Sequence, residues 1–284
     1  MGRFYEQMRD DLKLRNYSDS TVEGYTRCVR GLVAHFMKPP IELGKPHIRE
    51  YLLHLRSEKL SAATRNRTLA AIKFFYRHTL ERPEQVDDIP YPKVPKSLHD
   101  ALSRQEVELL LACISSIKHR TILTVVYGAG LRISEACALK FGDIDRQQRV
   151  IHVREGKGKK DRYVMLSARL LESLVEYYKC IRPPGPYFFT GDSTDRPISR
   201  KTPSRWLNQA RDKAGIRKRV TTHSLRHAFA THLLESGIDV RVIQVLLGHS
   251  SIRTTAVYTQ VTPQHIARIQ SPLDMEVRPK TPAR

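Results

Sequence analysis

Residues 222–237 read THSLRHAFATHLLESG and divide into two faces when they are drawn as an α-helix. At about 100° per residue, one stripe collects three large apolar side chains, as is typical of a buried face: Leu225, Phe229 and Leu233. His223 and Arg226 are three residues apart and therefore point together from a different sector of the surface. A guanidinium presents a planar fork to two phosphate oxygens, and an imidazole adds a nearby donor. The pair therefore suits a phosphate site, but taken alone it is a weak signal and a solvated helix face is the favoured interpretation.

Metal binding is a second chemistry to weigh for this helix. His223 and His227 have the four-residue spacing of a zinc helix, but the glutamate of the H-E-x-x-H pattern is missing. The four cysteines of the chain are widely scattered and form no C-x-x-C pair, which argues against a cysteine-based zinc site and against a disulfide framework. The sequence therefore predicts no metal site.

The overall charge of the chain indicates a polyanionic partner. Its 284 residues include 49 Lys and Arg against 29 Asp and Glu, a net charge of +20, and 40% hydrophobic residues are ample for packed cores. The longest mostly apolar run, residues 121–131, is far shorter than the roughly 20 residues of a membrane-spanning helix. The charged N-terminus contains no apolar secretion signal. These features predict a cytoplasmic, nucleoid-associated protein that binds nucleic acid and no membrane.

The first part of the chain, residues 1–88, reads as a bundle of four helices. A capping-box pattern of Ser20 with Glu23 opens the second helix, and the fourth helix begins near Ser61. The fourth helix carries four cations: Arg65, Arg67, Lys73 and Arg77. Because a basic helix of a small bundle can enter a DNA groove, we predict a DNA-binding domain, with a solvated basic face as the alternative.

A proline-rich stretch separates this bundle from the rest of the chain. Residues 89–97 read IPYPKVPKS, and three prolines within six residues favour an extended, semi-rigid segment. We assign residues 89–100 to a linker, residues 101–270 to a second domain, and residues 271–284 to a disordered tail.

The second domain reads as mostly helical with a small antiparallel sheet. Ser103 and Glu106 form a capping-box pattern ahead of an apolar helix. Residues 149–153 and 162–166 have the composition of short strands, and the glycine-rich segment GKGKKD at 156–161 joins them as a hairpin. The chain as a whole is therefore predicted to be mainly α, a helical bundle followed by a mostly helical domain with a small sheet.

Two cations of the second domain have positions that suit phosphate chemistry. Arg132 follows the glycines of GAG at 128–130, where backbone can approach a ligand, and Glu135 could orient it by a charge-assisted hydrogen bond. A helix-terminal arginine on the surface is the alternative. Lys157 lies at the hairpin tip, where it could deliver a proton if nearby cations lowered its pKa. The default interpretation of the hairpin is a solvated loop that touches DNA.

The chain has twelve tyrosines, and Tyr258 is one candidate nucleophile among them. His249 follows Gly248, which is typical of a helix C-cap, and Tyr258 comes nine residues later. A phenol that attacks a phosphodiester needs positive charge around the non-bridging oxygens and an acid for the leaving oxygen. Two arginines, two histidines and a lysine could provide both without a metal.

Five segments together resemble the motifs of the tyrosine recombinase (phage integrase) family, in the family's order. They are GLRISE at 130–135, GKGKKDR at 156–162, THSLRHAFATH at 222–232, LGHS at 247–250 and TTAVY at 254–258. The spacings of 26 residues from His223 to His249 and 9 residues to Tyr258 are similar to those of Xer-type members. The resemblance covers the whole chain, because the first domain is similar to the SAM-like core-binding domain of these enzymes.

The resemblance implies a role for each matching residue. Tyr258 matches the nucleophile that forms a 3′-phosphotyrosine link, and Arg132 and Arg226 match the pair that clamps the scissile phosphate. His223 and His249 match the donors that stabilise the pentacoordinate phosphorane.

The remaining matches lie around these groups. Lys157 matches the lysine that protonates the leaving oxygen, with Lys159 as its competitor, and Glu135 matches a supporting acid. Lys159, Lys160 and Arg162 are expected to contact DNA, whereas His227 and His232 are expected to pack or to make secondary contacts.

The implied activity is site-specific recombination. The resemblance implies a homotetramer, with or without a related recombinase, that exchanges strands of two double-stranded DNA sites through a Holliday junction. It implies no cofactor, since the phosphotyrosyl bond conserves the energy of the phosphodiester and neither ATP nor metal is required. The alternatives are a type IB topoisomerase and a DNA-binding regulator that has lost catalysis.

Overall fold

The computed structural model describes residues 2–93, 101–154, 161–191, 193–248 and 269–274. The chain divides into two compact units, Met1–Leu98 and His99–Arg284, each with its own hydrophobic core. The observed fold is mainly α with one small antiparallel sheet, as the sequence predicts. No helix in the described ranges is long and apolar enough to cross a membrane.

The first unit is a bundle of four α-helices. Their bounds are α1 (Gly2–Leu14), α2 (Asp19–Phe36), α3 (Lys45–Ser57) and α4 (Ala62–Phe74). A π-helical turn, Phe75–Thr79, continues α4, and short 3₁₀ turns cover Pro40–Glu42 and Pro83–Gln85. The helices bury an apolar stripe each, and Leu12, Leu32, Ile48 and Leu69 are fully buried in the shared core.

The start of α4 is confirmed, and the start of α2 is corrected. Ser61 is the N-cap of α4, and its hydroxyl accepts a hydrogen bond from Thr64 N at 3.1 Å. The predicted start of α2 at Ser20 is wrong, because Ser18 has the extended N-cap backbone and its carbonyl accepts from Val22 N at 2.9 Å. Asp19 then takes the first helical position, where its charge opposes the helix dipole.

The first residues of the predicted linker belong to the first unit. Ile89 is buried, and Asn66 Nδ2 donates to Pro92 O at 3.0 Å. Lys73 Nζ lies 5.0 Å from the centre of the Tyr91 ring. Residues 89–93 therefore pack on the helical bundle, and residues 94–100 lie outside the described part of the chain.

The second unit surrounds a central buried helix. The described helices are α5 (Arg104–Ala112), α6 (Ile117–Gly128), α7 (Ile133–Cys137), α8 (Ala168–Ile181), α9 (Lys201–Lys213), α10 (Thr222–Glu235) and α11 (Val240–Leu247). Every residue of α6 from Thr121 to Gly128 is buried. The capping box predicted at Ser103 is confirmed, since Glu106 N donates to Ser103 Oγ at 3.1 Å and Ser103 N donates to Glu106 Oε2 at 2.7 Å.

The sheet has three antiparallel strands in the order β1–β2–β3. The strands β2 (Val150–Val153) and β3 (Arg162–Met165) are the predicted pair, with Val153 opposite Arg162. The strand β1 (Ile144–Asp145) is not predicted from the sequence, because a two-residue strand is too short to show any alternation. Residues 155–160 of the hairpin lie outside the described residues.

The predicted disorder from Ser271 onward is wrong for residues 271–274. Ser271 is fully buried and its hydroxyl donates to Gly128 O at 2.6 Å, while Leu273 packs into the core of the second unit. The Asp274 carboxylate accepts hydrogen bonds from Ala168 N at 3.0 Å and Arg169 N at 3.2 Å. We call residues 271–274 the C-terminal clip. Residues 275–284 lie outside the described residues.

Candidate active site

The helix α10 carries Arg226 on the edge of its buried face. The stripe of Leu225, Phe229 and Leu233 is fully buried, as predicted. Arg226, however, is not on the surface, because its side chain is only 3% exposed. It donates from Nη1 to Gly130 O at 2.6 Å and from Nη2 to Leu247 O. Gly130 follows the end of α6, and Leu247 is the last residue of α11. Their carbonyls accept hydrogen bonds from a guanidinium whose burial would otherwise be costly.

Gly130 makes this arrangement possible. Its φ of +64° is in the left-handed region, and a Cβ atom there would lie 2.4 Å from the Phe229 ring. Glycine therefore lets the end of α6 approach α10 closely and turns its carbonyl toward Arg226.

Arg132 and Glu135 are paired as the sequence predicts. Arg132 is the N-cap of α7 and donates from Nη1 to Glu135 Oε1 at 2.8 Å. Its backbone N–H donates to the other carboxylate oxygen, Oε2, also at 2.8 Å. The Arg132 side chain keeps 25% exposure, whereas the Glu135 side chain keeps 9%. Arg132 is therefore the member of the pair that can meet a ligand.

The prediction that Arg162 contacts DNA is wrong. It is buried, and its guanidinium binds the Glu135 carboxylate with both ends, Nη1 to Oε1 at 3.0 Å and Nη2 to Oε2 at 2.6 Å. Its Nε donates to Leu246 O at 2.8 Å. The sequence did not reveal that Arg162 is buried, because a local run of charged residues does not show that its last member begins a buried strand. The available signal was that Arg162 lies on the same strand as Val164 and Met165, which are buried.

Three arginines meet three successive carbonyls at the C-terminal end of α11. Arg162 donates to Leu246 O, Arg226 to Leu247 O, and Arg132 to Gly248 O at 3.2 Å. The last carbonyls of a helix lack intrahelical partners and carry partial negative charge, so cations are favoured there. Gly248 ends the helix with a left-handed φ of 60°, which confirms the predicted C-cap.

The cluster of Arg132, Arg162, Arg226 and Glu135 is strongly positive, and we call it the arginine cluster. Burial alone would raise the pKa of Glu135, but the hydrogen bonds and charge of Arg162, together with the hydrogen bonds from Arg132, outweigh burial and lower it to about 2. Burial, followed by the charge of Arg132, lowers the pKa of Arg226 to about 10. Three guanidiniums thus share one ionised carboxylate in the described part of the chain, so a bound anion would be stabilised here.

The histidines of α10 separate into two environments. His223 is exposed, and partial burial followed by the charges of Arg226, His227 and Arg132 lowers its pKa. His227 is also exposed. His232 is buried, donates from Nε2 to Leu102 O at 2.9 Å and accepts from the Tyr127 hydroxyl at 2.9 Å. It is a packing residue, as expected.

Several predicted site residues fall outside the described residues. These are Lys157, Lys159, Lys160, His249 and Tyr258. Among the predicted catalytic and supporting residues, the structure brings together Arg132, Arg226 and Glu135.

The cations predicted on α4 have different surroundings. Arg67 is exposed, and Arg77 pairs with Asp87 at 2.8 Å. Arg65 is half-buried. Lys73 is a correction, since only 6% of it is exposed and its Nζ donates to Asp87 O at 3.3 Å. Burial, followed by the charge of Arg77, lowers the pKa of Lys73. Lys73 thus binds the segment that follows the bundle rather than facing outward.

Comparison with known proteins defines the class to which this fold and site belong. The model of the phage integrase family matches residues 100–265, and that of the N-terminal SAM-like domain of phage integrases matches residues 4–85. The chain belongs to the phage integrase family and is a tyrosine recombinase, an enzyme of site-specific DNA recombination.

Individual relatives extend over nearly the full length of both chains. The chain is 45% identical to the putative integrase/recombinase y4qK of Sinorhizobium fredii, covering 96% of this chain and 89% of the relative. It is 39% identical to the tyrosine recombinase XerA of Thermococcus onnurineus, covering 93% of each.

Two solved structures are also similar. The crystal structure of XerA recombinase matches with 30% identity and a TM-score of 0.50, covering 92% of this chain and 94% of the other. A lambda integrase (75-356) dimer bound to a COC′ core site matches with a TM-score of 0.72, covering 88% and 95%. At 20% identity, the lambda integrase match shows the fold alone.

Proposed function

We propose that this recombinase cuts and rejoins double-stranded DNA through a covalent 3′-phosphotyrosine intermediate at Tyr258. The observation that carries the proposal is the arginine cluster at the end of α11. In this cluster the partly exposed guanidinium of Arg132 donates to Gly248 O at the end of α11. This carbonyl lies two residues after Leu246 O, which accepts from Arg162. His249 follows this terminus directly in sequence, and Tyr258 follows nine residues later.

The reaction needs no net input of energy. The Tyr258 phenolic oxygen loses its proton and attacks the scissile phosphorus, so that a tyrosine–phosphorus bond forms and the bond to the 5′ oxygen breaks. That oxygen takes up a proton and leaves as a 5′-hydroxyl. A 5′-hydroxyl of the second site reverses the step, which conserves one phosphodiester for each bond broken and requires neither ATP nor metal.

Each cationic residue of the site has a separate part in the transfer. Arg132 and Arg226 stabilise the non-bridging oxygens of the phosphorane, and Glu135 holds Arg132 in place. His223 and His249 assist proton movement. Lys157 protonates the leaving oxygen, with Lys159 as its alternative.

The partner is DNA carrying specific sites, and the assembly is a homotetramer, with or without a related recombinase. Lambda integrase has been solved as a tetramer bound to a Holliday junction. We infer the same kind of junction here. Residues 1–93 act as the core-binding domain, residues 94–100 as a linker, and the catalytic domain extends from residue 101 to the C-terminal clip. The protein acts in the cytoplasm at the nucleoid, where its substrate lies.

A suicide substrate tests this proposal. A DNA site nicked next to the cleavage point loses the 5′-hydroxyl fragment and traps the enzyme on its 3′ phosphate. We expect wild-type protein to form a covalent adduct detectable by denaturing electrophoresis, and Tyr258→Phe to bind the same DNA without forming one. Persistence of the adduct in Tyr258→Phe would refute the nucleophile. Absence of an adduct from wild-type protein that binds the site would instead favour a regulator.

A plasmid assay distinguishes recombination from topoisomerase activity. Recombinant products from plasmids with paired sites, and none from plasmids with one site, are expected. Relaxation of supercoils that does not depend on paired sites would contradict recombination as the main activity.

A further inference from the structure

Arg162 is the member of the arginine cluster that the proposed chemistry leaves unused. It is the first residue of β3, directly after the hairpin tip, yet its side chain is only 7% exposed. All three of its nitrogens donate, two to the Glu135 carboxylate and one to Leu246 O. Because protein acceptors engage all three nitrogens of this guanidinium, it is poorly placed to bind DNA directly.

The contacts of Arg162 join three elements of the second unit. Its backbone belongs to β3, its two terminal nitrogens hold the carboxylate of α7, and its Nε holds the end of α11. A Cβ atom on Gly248 would lie 3.0 Å from Arg162 Cδ, so the arginine stem also lies against the residue that ends α11. Arg162 and Leu246 are 84 residues apart in the chain, so this contact between β3 and α11 depends on the tertiary fold.

Glu135 has a different partner on each side. Arg162 occupies both carboxylate oxygens from the buried side, and Arg132 binds Oε1 with its side chain and Oε2 with its backbone N–H. With both oxygens engaged by Arg162, the carboxylate cannot rotate without breaking two charge-assisted bonds. The position of the Arg132 fork is therefore set by Arg162 through Glu135.

We propose that Arg162 is a positioning residue for strand cleavage. It acts without touching DNA, by holding Glu135 and the end of α11 in the register in which Arg132 and Arg226 address one phosphate. This inference rests on the proposed function, since it presumes that these two arginines bind the scissile phosphate.

Single-turnover cleavage of a saturating suicide substrate tests this role. We expect Arg162→Met and Arg162→Lys to lower the cleavage rate by about 100-fold, the scale of a small misplacement at a reacting centre. The DNA dissociation constant and its salt dependence should stay as in wild type. A lysine keeps the charge but reaches one acceptor in place of three, so it carries the test if the methionine variant fails to fold. An unchanged rate, or a loss confined to DNA affinity, would overturn the proposal.

Arg154→Met is the matched control. Arg154 flanks the other side of the same hairpin tip, but its side chain is 58% exposed and pairs with Asp143 at 2.8 Å. Any loss in this variant should appear in DNA affinity, with the cleavage rate of the bound complex kept. An equal fall in cleavage rate for Arg154→Met and Arg162→Met would show a general effect of hairpin charge and overturn the specific role.

A sulfur leaving group separates Arg162 from the proton donor of the hairpin. DNA with a 5′-bridging phosphorothiolate releases a thiolate, which needs no proton. The Arg162 variants should remain slow on this substrate, because their defect lies in holding the phosphate. Full recovery would mean that Arg162 acts through the lysine of the hairpin tip and would refute the route through Glu135.

A double-mutant cycle with Glu135→Gln completes the test. If Arg162 acts through the carboxylate, adding Arg162→Met to Glu135→Gln should cost much less than it costs in wild type. Additive losses would contradict the proposed route. Failure of the proposed function is distinguishable, since wild-type protein would then form no adduct at all.

Discussion

The Glu135 carboxylate compensates the positive charge of three neighbouring arginines in the second unit. Glu135 binds Arg162 and Arg132 at 3.0 Å or less, and Arg226 Nη1 lies 3.8 Å from its Oε2. Removal of one partner of a buried ion pair is more costly than the pair is stabilising, because the remaining charges stay buried without compensation. The residue that supports catalysis is therefore also one on which the stability of the second unit depends.

We predict that Glu135→Gln lowers the free energy of unfolding at pH 7 by about 3–5 kcal/mol. The pKa of Glu135 falls from 4.5 to about 2 on folding, so its contribution is fully present above pH 4.5 and is lost as the pH falls toward 2. The difference between wild type and variant should therefore narrow over that range. Urea unfolding at pH 7, 4.5 and 3 measures it.

The control for this variant is Glu172→Gln on α8, where the side chain is exposed. A surface substitution of this kind should change the free energy of unfolding by less than about 0.5 kcal/mol. A Glu135→Gln deficit that stays constant from pH 7 to pH 3 would contradict the depressed pKa.

At the scale of elements, the C-terminal clip holds α6 and α8 together. Ser271 binds the last carbonyl of α6, Leu273 lies over Gly128, and Asp274 accepts from the first backbone N–H groups of α8. Those N–H groups have no intrahelical partner, so a carboxylate there both satisfies them and opposes the helix dipole. The clip thus fixes residues 271–274 at a defined place on the second unit.

We predict that Leu273→Ala lowers the free energy of unfolding of the second unit by about 2–4 kcal/mol, because the substitution leaves a cavity above Gly128. Thermal unfolding followed by circular dichroism measures the change. The control, Leu234→Ala, truncates a leucine that is 55% exposed and should have little effect. Equal transition temperatures for wild type and Leu273→Ala would show that the clip is not packed in solution.

The whole molecule carries a net charge of +20, which favours DNA through the release of counterions. Only cations that reach phosphates contribute to the salt dependence of binding. Arg67 and Lys73 lie on the same helix and differ in this respect, since Arg67 is exposed and Lys73 is bound to Asp87 O and the Tyr91 ring.

We predict that Arg67→Met makes the negative slope of log K against log salt shallower by about 0.9, the value for one lost phosphate contact. Lys73→Met should leave the slope unchanged, because its ammonium is already occupied within the protein. Fluorescence anisotropy of labelled DNA at four salt concentrations distinguishes the two. A reduced slope for Lys73→Met would mean that this lysine leaves its contacts to bind DNA.

The features that the sequence predicted are those governed by neighbours within one or two turns. Helical phase identified the buried stripe of Leu225 and Phe229, the serine caps marked helix starts at Ser61 and Ser103, and the three-residue spacing paired Arg132 with Glu135. The motif spacings similarly sufficed to identify the family of the chain.

The features that only the tertiary structure decided depend on partners far away in the chain. Arg162 and Lys73 look like surface cations in sequence, and both are buried because carbonyls and a carboxylate from other parts of the chain accept hydrogen bonds from them. Ser271 and Leu273 look like a polar tail, yet they fill a site on α6. Local pattern specifies which face of an element is apolar, but burial of a charge depends on whether folding supplies its partner.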